Sequence, residues 1–127
     1  MASEIVGEQR DLYLALIEKG VAKRRAIELQ NLMTHCGYES FSIDKSENGE
    51  KCDMIITTLS IHTEQLRVFA ERAAQDKTTL AIISPYYDKE RAEMCKEIVE
   101  AHRCTSVDNR AYLLLFNNHL PKQKFRL

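Results

Sequence analysis

Breakers are scarce in this chain of 127 residues. There are four glycines, two prolines and no tryptophan, and aromatic residues supply only 7% of positions. With turn formers spread so thinly, no linker, low-complexity tract or internal repeat is legible. No segment approaches the roughly 20 apolar residues of a membrane span, and Met1–Arg10 holds no apolar stretch of signal-peptide length. An excess of one charge is missing too: the formal net charge is −1 and the isoelectric point is about 6.4. No global basic field draws in nucleic acid or an anionic membrane, so neither is expected as a partner. The four cysteines, Cys36, Cys52, Cys95 and Cys104, form no CxxC pair. Without an export signal they are expected to be reduced and buried, and the compartment to be cytoplasmic.

What is present is ordinary for a folded protein. With 44% hydrophobic and 29% charged residues, one α/β domain is expected, with a core over 11–118 and terminal extensions at 1–10 and 119–127. Leu12–Ile17 is a short apolar run that reads as a buried strand, and a run of that length is also open to a helix. Ala22, Ala26, Leu29, Leu32, Met33 and Cys36 recur at helical spacing, with Gly37 placed as the C-cap. Strands are expected at 38–43, 53–59 and 79–84, with one or two more after 104. Helices are expected over 62–76 and 88–102. The second has Asp88 as N-cap, and Ala92, Cys95, Ile98, Val99 and His102 lie on turns beside Arg91. The alternation predicts a three-layer, doubly wound, mainly parallel sheet of about five strands.

This order resembles a receiver domain of two-component signalling, with flavodoxin-like topology, from Asp11 to about Phe116. The likeness is carried by the first apolar run, by the helix ending in Gly37-Tyr38-Glu39, by the strand opening Asp53-Met54-Ile55-Ile56, and by a strand closing on Ser84. The resemblance implies an acidic pair after the first strand, where this chain has Glu18 and Lys19. It implies a phosphoacceptor aspartate at a position that falls here on Thr58, and a lysine near Asn117 or Asn118. Lys19 repels the divalent cation that receivers hold, and a threonine hydroxyl neither ligates it as a carboxylate does nor accepts acyl phosphate well. The resemblance thus implies a degenerate pseudo-receiver that has lost phosphotransfer. Such a module is non-catalytic, takes no cofactor, and binds another protein domain: a kinase, a receiver, or a second copy of this chain in a homodimer.

The enzyme alternative is a metal-dependent nuclease of the restriction-endonuclease type, with Glu28 on the first helix and Asp53 at a strand start. Its chemistry needs a carboxylate pair plus lysine around metal-bound water. The Glu-x-Lys of that set is missing, because Glu50 and Lys51 are adjacent. Zinc could be imagined at Cys95, His102 and Cys104, or at His35, Cys36 and Cys52. Yet Cys95 lies on an apolar stripe, and His35 and His102 fall in last helical turns, where they complement the helix dipole. No metal site is expected. Among the basic clusters, Lys23-Arg24-Arg25 reads as a solvated helix face and Lys122–Arg126 as a tail, with Phe125 alone too little aromatic surface for nucleic acid.

The surface left as a candidate site is Ser84-Pro85-Tyr86-Tyr87-Asp88, at the carboxyl end of a strand, where doubly wound sheets place their ligands. Adjacent tyrosines in a loop suit a protein contact, since each offers a large area at small entropy cost. Glu18 and Thr58 are expected beside Ser84, Tyr86, Tyr87 and Asp88, at neighbouring strand ends.

Overall fold

The computed structural model describes residues 4–45, 51–117 and 121–127. The chain divides into two compact units, 1–41 and 42–127. The first unit is a helical hairpin, α1 (Asp11–Glu18) and α2 (Lys23–Cys36). The run expected as a strand at Leu12–Ile17 is therefore helical. Burial shows why. Leu12 and Leu16 are fully buried, one helical turn apart, while Leu14 and Ile17 between and after them stay exposed. A strand covered on both faces would hide all four. Gly20, at φ +85°, ends α1: Gly20 N–H donates to Ile17 O and Val21 N–H to Leu16 O, both at 3.0 Å. Gly37 closes α2 with the same pair of bonds, to Thr34 O and Met33 O, as the left-handed C-cap motif requires.

Polar side chains complete the hairpin. The N–H of Tyr13, in the first turn of α1, has no partner within its own helix, and it donates to Oε1 of the buried Gln30 at 3.0 Å. Asn31 binds the preceding segment through Val6 N–H and Glu4 O.

The second unit carries a six-stranded mixed sheet of order β1-β2-β3-β5-β4-β6. Its strands are β1 (Phe41–Ile43, beginning at the boundary), β2 (Met54–Thr57), β3 (Thr79–Ile83), β4 (Ser106–Asp108), β5 (Tyr112–Leu115) and β6 (Lys124–Arg126). β2 pairs parallel with β3, and β4 parallel with β6, while β5 runs antiparallel to both β3 and β4. Of these five strands only β5 is reversed. The class is α/β, as composition and periodicity indicate. Among the described residues the strand count is six rather than about five, because the basic tail adds β6 to the sheet. With Leu12–Ile17 helical, the strand that the receiver likeness places first is not a strand, and Glu18 ends a helix of which Lys19 is the C-cap.

α3 (Leu66–Asp76), entered through a 3-10 turn at Thr63–Gln65, and α4 (Lys89–Ala101) complete this unit. Leu66, Phe69 and Ala73 of α3 and Cys95 and Ile98 of α4 share one core with Ile55, Leu80, Ile82, Leu113 and Leu115 of the sheet. The strand residues in that core are register neighbours, Ile55 with Leu80, Leu80 with Leu115 and Ile82 with Leu113, so they present one face to the helices. An exposed ion pair, Arg67–Glu97 at 2.9 Å, links α3 to α4 and adds at most about 1 kcal/mol.

Candidate functional site

The loop between β3 and α4 is fixed by its backbone. Ser84 sits in the left-handed region at φ +51°, an uncommon conformation for a residue with a Cβ. It is held there by Ser84 N–H to Ala111 O at 2.8 Å and by Tyr87 N–H to Ser84 O at 3.2 Å. Asp88 caps α4 as expected, accepting from Arg91 N–H at 2.8 Å. Pro85 is buried, whereas Tyr86 and Tyr87 are 50% and 68% exposed.

Tyr86 is tied down and Tyr87 reaches out. The Tyr86 hydroxyl donates to Asp108, and this bond, ahead of partial burial, pushes its pKa up. The Arg110 guanidinium lies over the same ring, 6.0 Å from its centroid, within range of a cation–π attraction. Asp108 and Asn109 organise the β4–β5 turn by accepting from Arg110, Ala111 and Tyr112 N–H groups. Two backbone corners thus present one aromatic surface.

The crevice expected at the carboxyl ends of the parallel strands is filled. Arg91 is only 2% exposed. Its Nε donates to Ser84 O at 3.0 Å, Nη1 to Ile61 O at 3.2 Å, and Nη2 to Ile83 O at 2.9 Å and Thr58 O at 3.4 Å. A guanidinium offers a planar fork of five N–H groups, so one side chain serves carbonyls from the ends of β2 and β3 together. Burial lowers its pKa, yet arginine stays charged.

Thr58 is buried as well. It is 6% exposed, and Asp44 accepts from both its N–H and its hydroxyl at 2.6 Å. Glu18 is exposed at the end of α1 in the first unit, so it does not lie at a strand end as expected. Of the six residues read as a surface, the structure brings together Ser84, Tyr86, Tyr87 and Asp88. Sequence reasoning missed Asp108, Arg110 and Arg91. A signal for Arg91 existed: it falls in step with Cys95 and Ile98 on the apolar stripe of its helix.

A groove of about 410 Å³ opens beside Tyr86, between α4 and strands β4 and β6, with Pro85, Ala92, Cys95, Val99 and Leu113 in its lining. Burial raises the Cys95 thiol to about 11 and also raises Cys52, which keeps both protonated near neutrality and poor as nucleophiles. All four cysteines are free, but only Cys95 is buried and Cys36 is exposed, a correction to the expectation of four buried thiols. Among the described residues, no three of His, Cys, Asp and Glu come together to hold a metal ion. Asp53 is exposed at the start of β2, and Glu28 lies in the other unit, within 3.8 Å of Arg24 and 3.0 Å of Arg25. Asn117 is buried and donates its amide to Thr78 O at 2.8 Å, while Asn118 is outside the described residues. Among the described residues, no helix is long and apolar enough to cross a membrane.

His102, the C-cap of α4, has Nε2 at 2.8 Å from Phe116 O. Burial is the largest influence on it and lowers its pKa, against the opposing effect of bonds to Phe116 and Thr105. The folded protein then holds its proton less tightly than the unfolded chain, whose histidine titrates near about 6.5. Stability contributed by neutral His102 is present above that value and declines as pH falls from about 6.5 through the lower folded pKa. Urea midpoints measured from pH 7.5 to 5 are expected to fall less steeply in His102→Gln than in the wild type. Identical slopes refute this assignment.

No family model, curated protein or solved structure matches the chain.

Proposed function

We propose that this chain is a non-catalytic signalling or regulatory module that binds another protein domain through the surface of Tyr86 and Tyr87. The observation that carries the reading is the pair itself: two adjacent, exposed tyrosines on a loop whose backbone is already fixed at Ser84, Asp88 and the β4–β5 turn. Exposed aromatic area on a preorganised loop binds with little ordering cost. The reading rests on this surface rather than on topology. The likeness to receivers keeps the order β-α-β-α-β from Met54 to Asp108 and loses its first strand.

The site lies at the rim of the plugged crevice, not inside it. Arg91 across the strand ends, Thr58 turned to Asp44 and Glu18 at the end of a helix support the loss of phosphotransfer in this reading. Incubation with acetyl phosphate and Mg²⁺ is expected to leave the intact mass unchanged. A stoichiometric phosphoryl adduct overturns the non-catalytic reading.

The surface is tested by affinity capture and light scattering of wild type, Tyr86→Ala/Tyr87→Ala and Val68→Ala, the last an exposed control on α3. The double variant is expected to lose the specific partner, or the second copy, that the wild type and the control retain. If all three keep the same partner and the same mass, the tyrosines are not the interface.

A further inference from the structure

Strand β6 is the last in the sheet order, and its three side chains are exposed. Ser106 N–H donates to Gln123 O and Leu127 N–H to Asp108 O, both at 2.8 Å. Because N–H and C=O groups alternate sides along a strand, positions 123, 125 and 127 turn theirs toward β4, and Lys124 and Arg126 turn theirs outward. Among the described residues no strand pairs with that outer edge.

Register places the side chains as well. Lys124 is opposite Ser106, which is opposite Leu115 of the core under α3 and α4. Register partners share a face, so Lys124 and Arg126 project on the side that carries α4, and Phe125, 46% exposed, projects on the other beside Val107. On the α4 side the groove brings Lys89 and Lys96 into the same lining as Lys124 and Arg126. Lys89 reaches Glu93 at 4.0 Å, and among the described residues no ion pair engages Lys96, Lys124 or Arg126. Of the acids in that lining, Asp108 already accepts from Tyr86 and Arg110, and Glu93 faces Lys89. Among the described residues no ion pair engages Glu100, but Lys122 Nζ sits on its carbonyl at 2.8 Å.

We infer that this edge takes an extended acidic segment of the partner as an added strand, with acids at alternate positions facing Lys124, Arg126 and Lys96, and apolar residues between them on the Phe125 side. The inference rests on the protein-binding reading and names the chemistry of the partner. Edge addition supplies main-chain hydrogen bonds, and the alternation of the strand supplies selectivity. Charge selects the occupant. A second copy pairing antiparallel about Phe125 sets Lys124 against Arg126, a like-charge opposition that destabilises a ladder. A nucleic acid satisfies the cations but has no peptide groups for the open ladder.

The test is a fluorescence-anisotropy titration of the full chain with a short labelled peptide alternating glutamate and valine. Saturable binding is expected, weakening by about tenfold or more in Lys124→Glu/Arg126→Glu. N-methylation of the amides along one edge of the peptide is expected to abolish binding, and along its other edge to leave it intact. The inference is overturned by a lack of saturable binding, by equal loss from methylation on either edge, by equal binding of an oligothymidylate, or by a wild-type dimer that the double charge reversal disperses. Both substituted residues are exposed, so circular dichroism is expected to be unchanged. The two readings separate in the same samples. If Tyr86→Ala/Tyr87→Ala loses the partner but the peptide never binds, the edge inference alone fails. If the peptide binds as described and the tyrosine variant keeps its partner, the tyrosine surface alone fails.

Discussion

Replacing Arg91 by methionine is expected to lower the unfolding free energy by about 3–5 kcal/mol, the range for breaking a buried charged network from one side. Two effects oppose each other. Removing a buried charge and filling its volume with an apolar side chain is often neutral or stabilising, because the desolvation cost of the charge disappears. That outcome requires the partners to be removed too. Here the partners are the carbonyls of Thr58, Ile61, Ile83 and Ser84, which belong to the backbone and stay in place. Thr58 O and Ser84 O keep backbone donors, Ile61 N–H and Tyr87 N–H. Ile61 O and Ile83 O lose the guanidinium, and an acceptor left without a donor carries a penalty of about 1–3 kcal/mol, so the loss wins. Arg91→Lys is expected to recover only a minor part, since an ammonium has three donors around a point and cannot span the fork. Urea denaturation of the two variants decides it. A methionine variant within about 1 kcal/mol of the wild type shows that water satisfies these carbonyls instead.

Ile82→Ala is expected to destabilise by about 3–5 kcal/mol, in the upper part of the range for large-to-small changes. Ile82 is fully buried on β3, with Thr57 of β2 and Leu113 of β5 as its register neighbours, and it faces the core of α3 and α4. Walls fixed by two strand ladders and two helices cannot collapse into the vacated space, so the cavity persists. Val68→Ala on the exposed face of α3 is expected to shift stability by less than about 0.5 kcal/mol. Equal urea midpoints for the two variants contradict the placement of this core.

Periodicity carried the long elements. α2, α4, β2 and β3 follow from apolar spacing of 3.6 or near-continuous β-rich runs, and Gly37 and Asp88 mark their ends by cap chemistry. α1 failed because eight residues with five apolar side chains fit either period, and the deciding fact, which of them meet solvent, is tertiary. Gly20 was the legible clue, since the cap it provides has no use after a strand. β6 failed for the opposite reason: its side chains, Lys124, Phe125 and Arg126, are all exposed, and it joins the sheet by backbone bonds that leave no mark on composition. Of the candidate site, the tyrosine loop was legible as turn chemistry at a strand end. The partners of Thr58 and Arg91 were not, because they include groups far away in sequence, Asp44 for the first and the carbonyls of Thr58 and Ile61 for the second.

The reversed strand β5 sets the order in which the molecule can be made. It lies between β3 and β4 although it follows both in sequence, so a later strand is inserted between the two halves of the sheet. On the ribosome, β3 emerges with one flank open, and Leu80 and Ile82 wait for Leu115 and Leu113 until some thirty further residues have been synthesised. Such an unpaired apolar flank invites wrong pairing. A chain cut between β4 and β5 would keep every helix of the second unit and still lack the strand that joins its two halves.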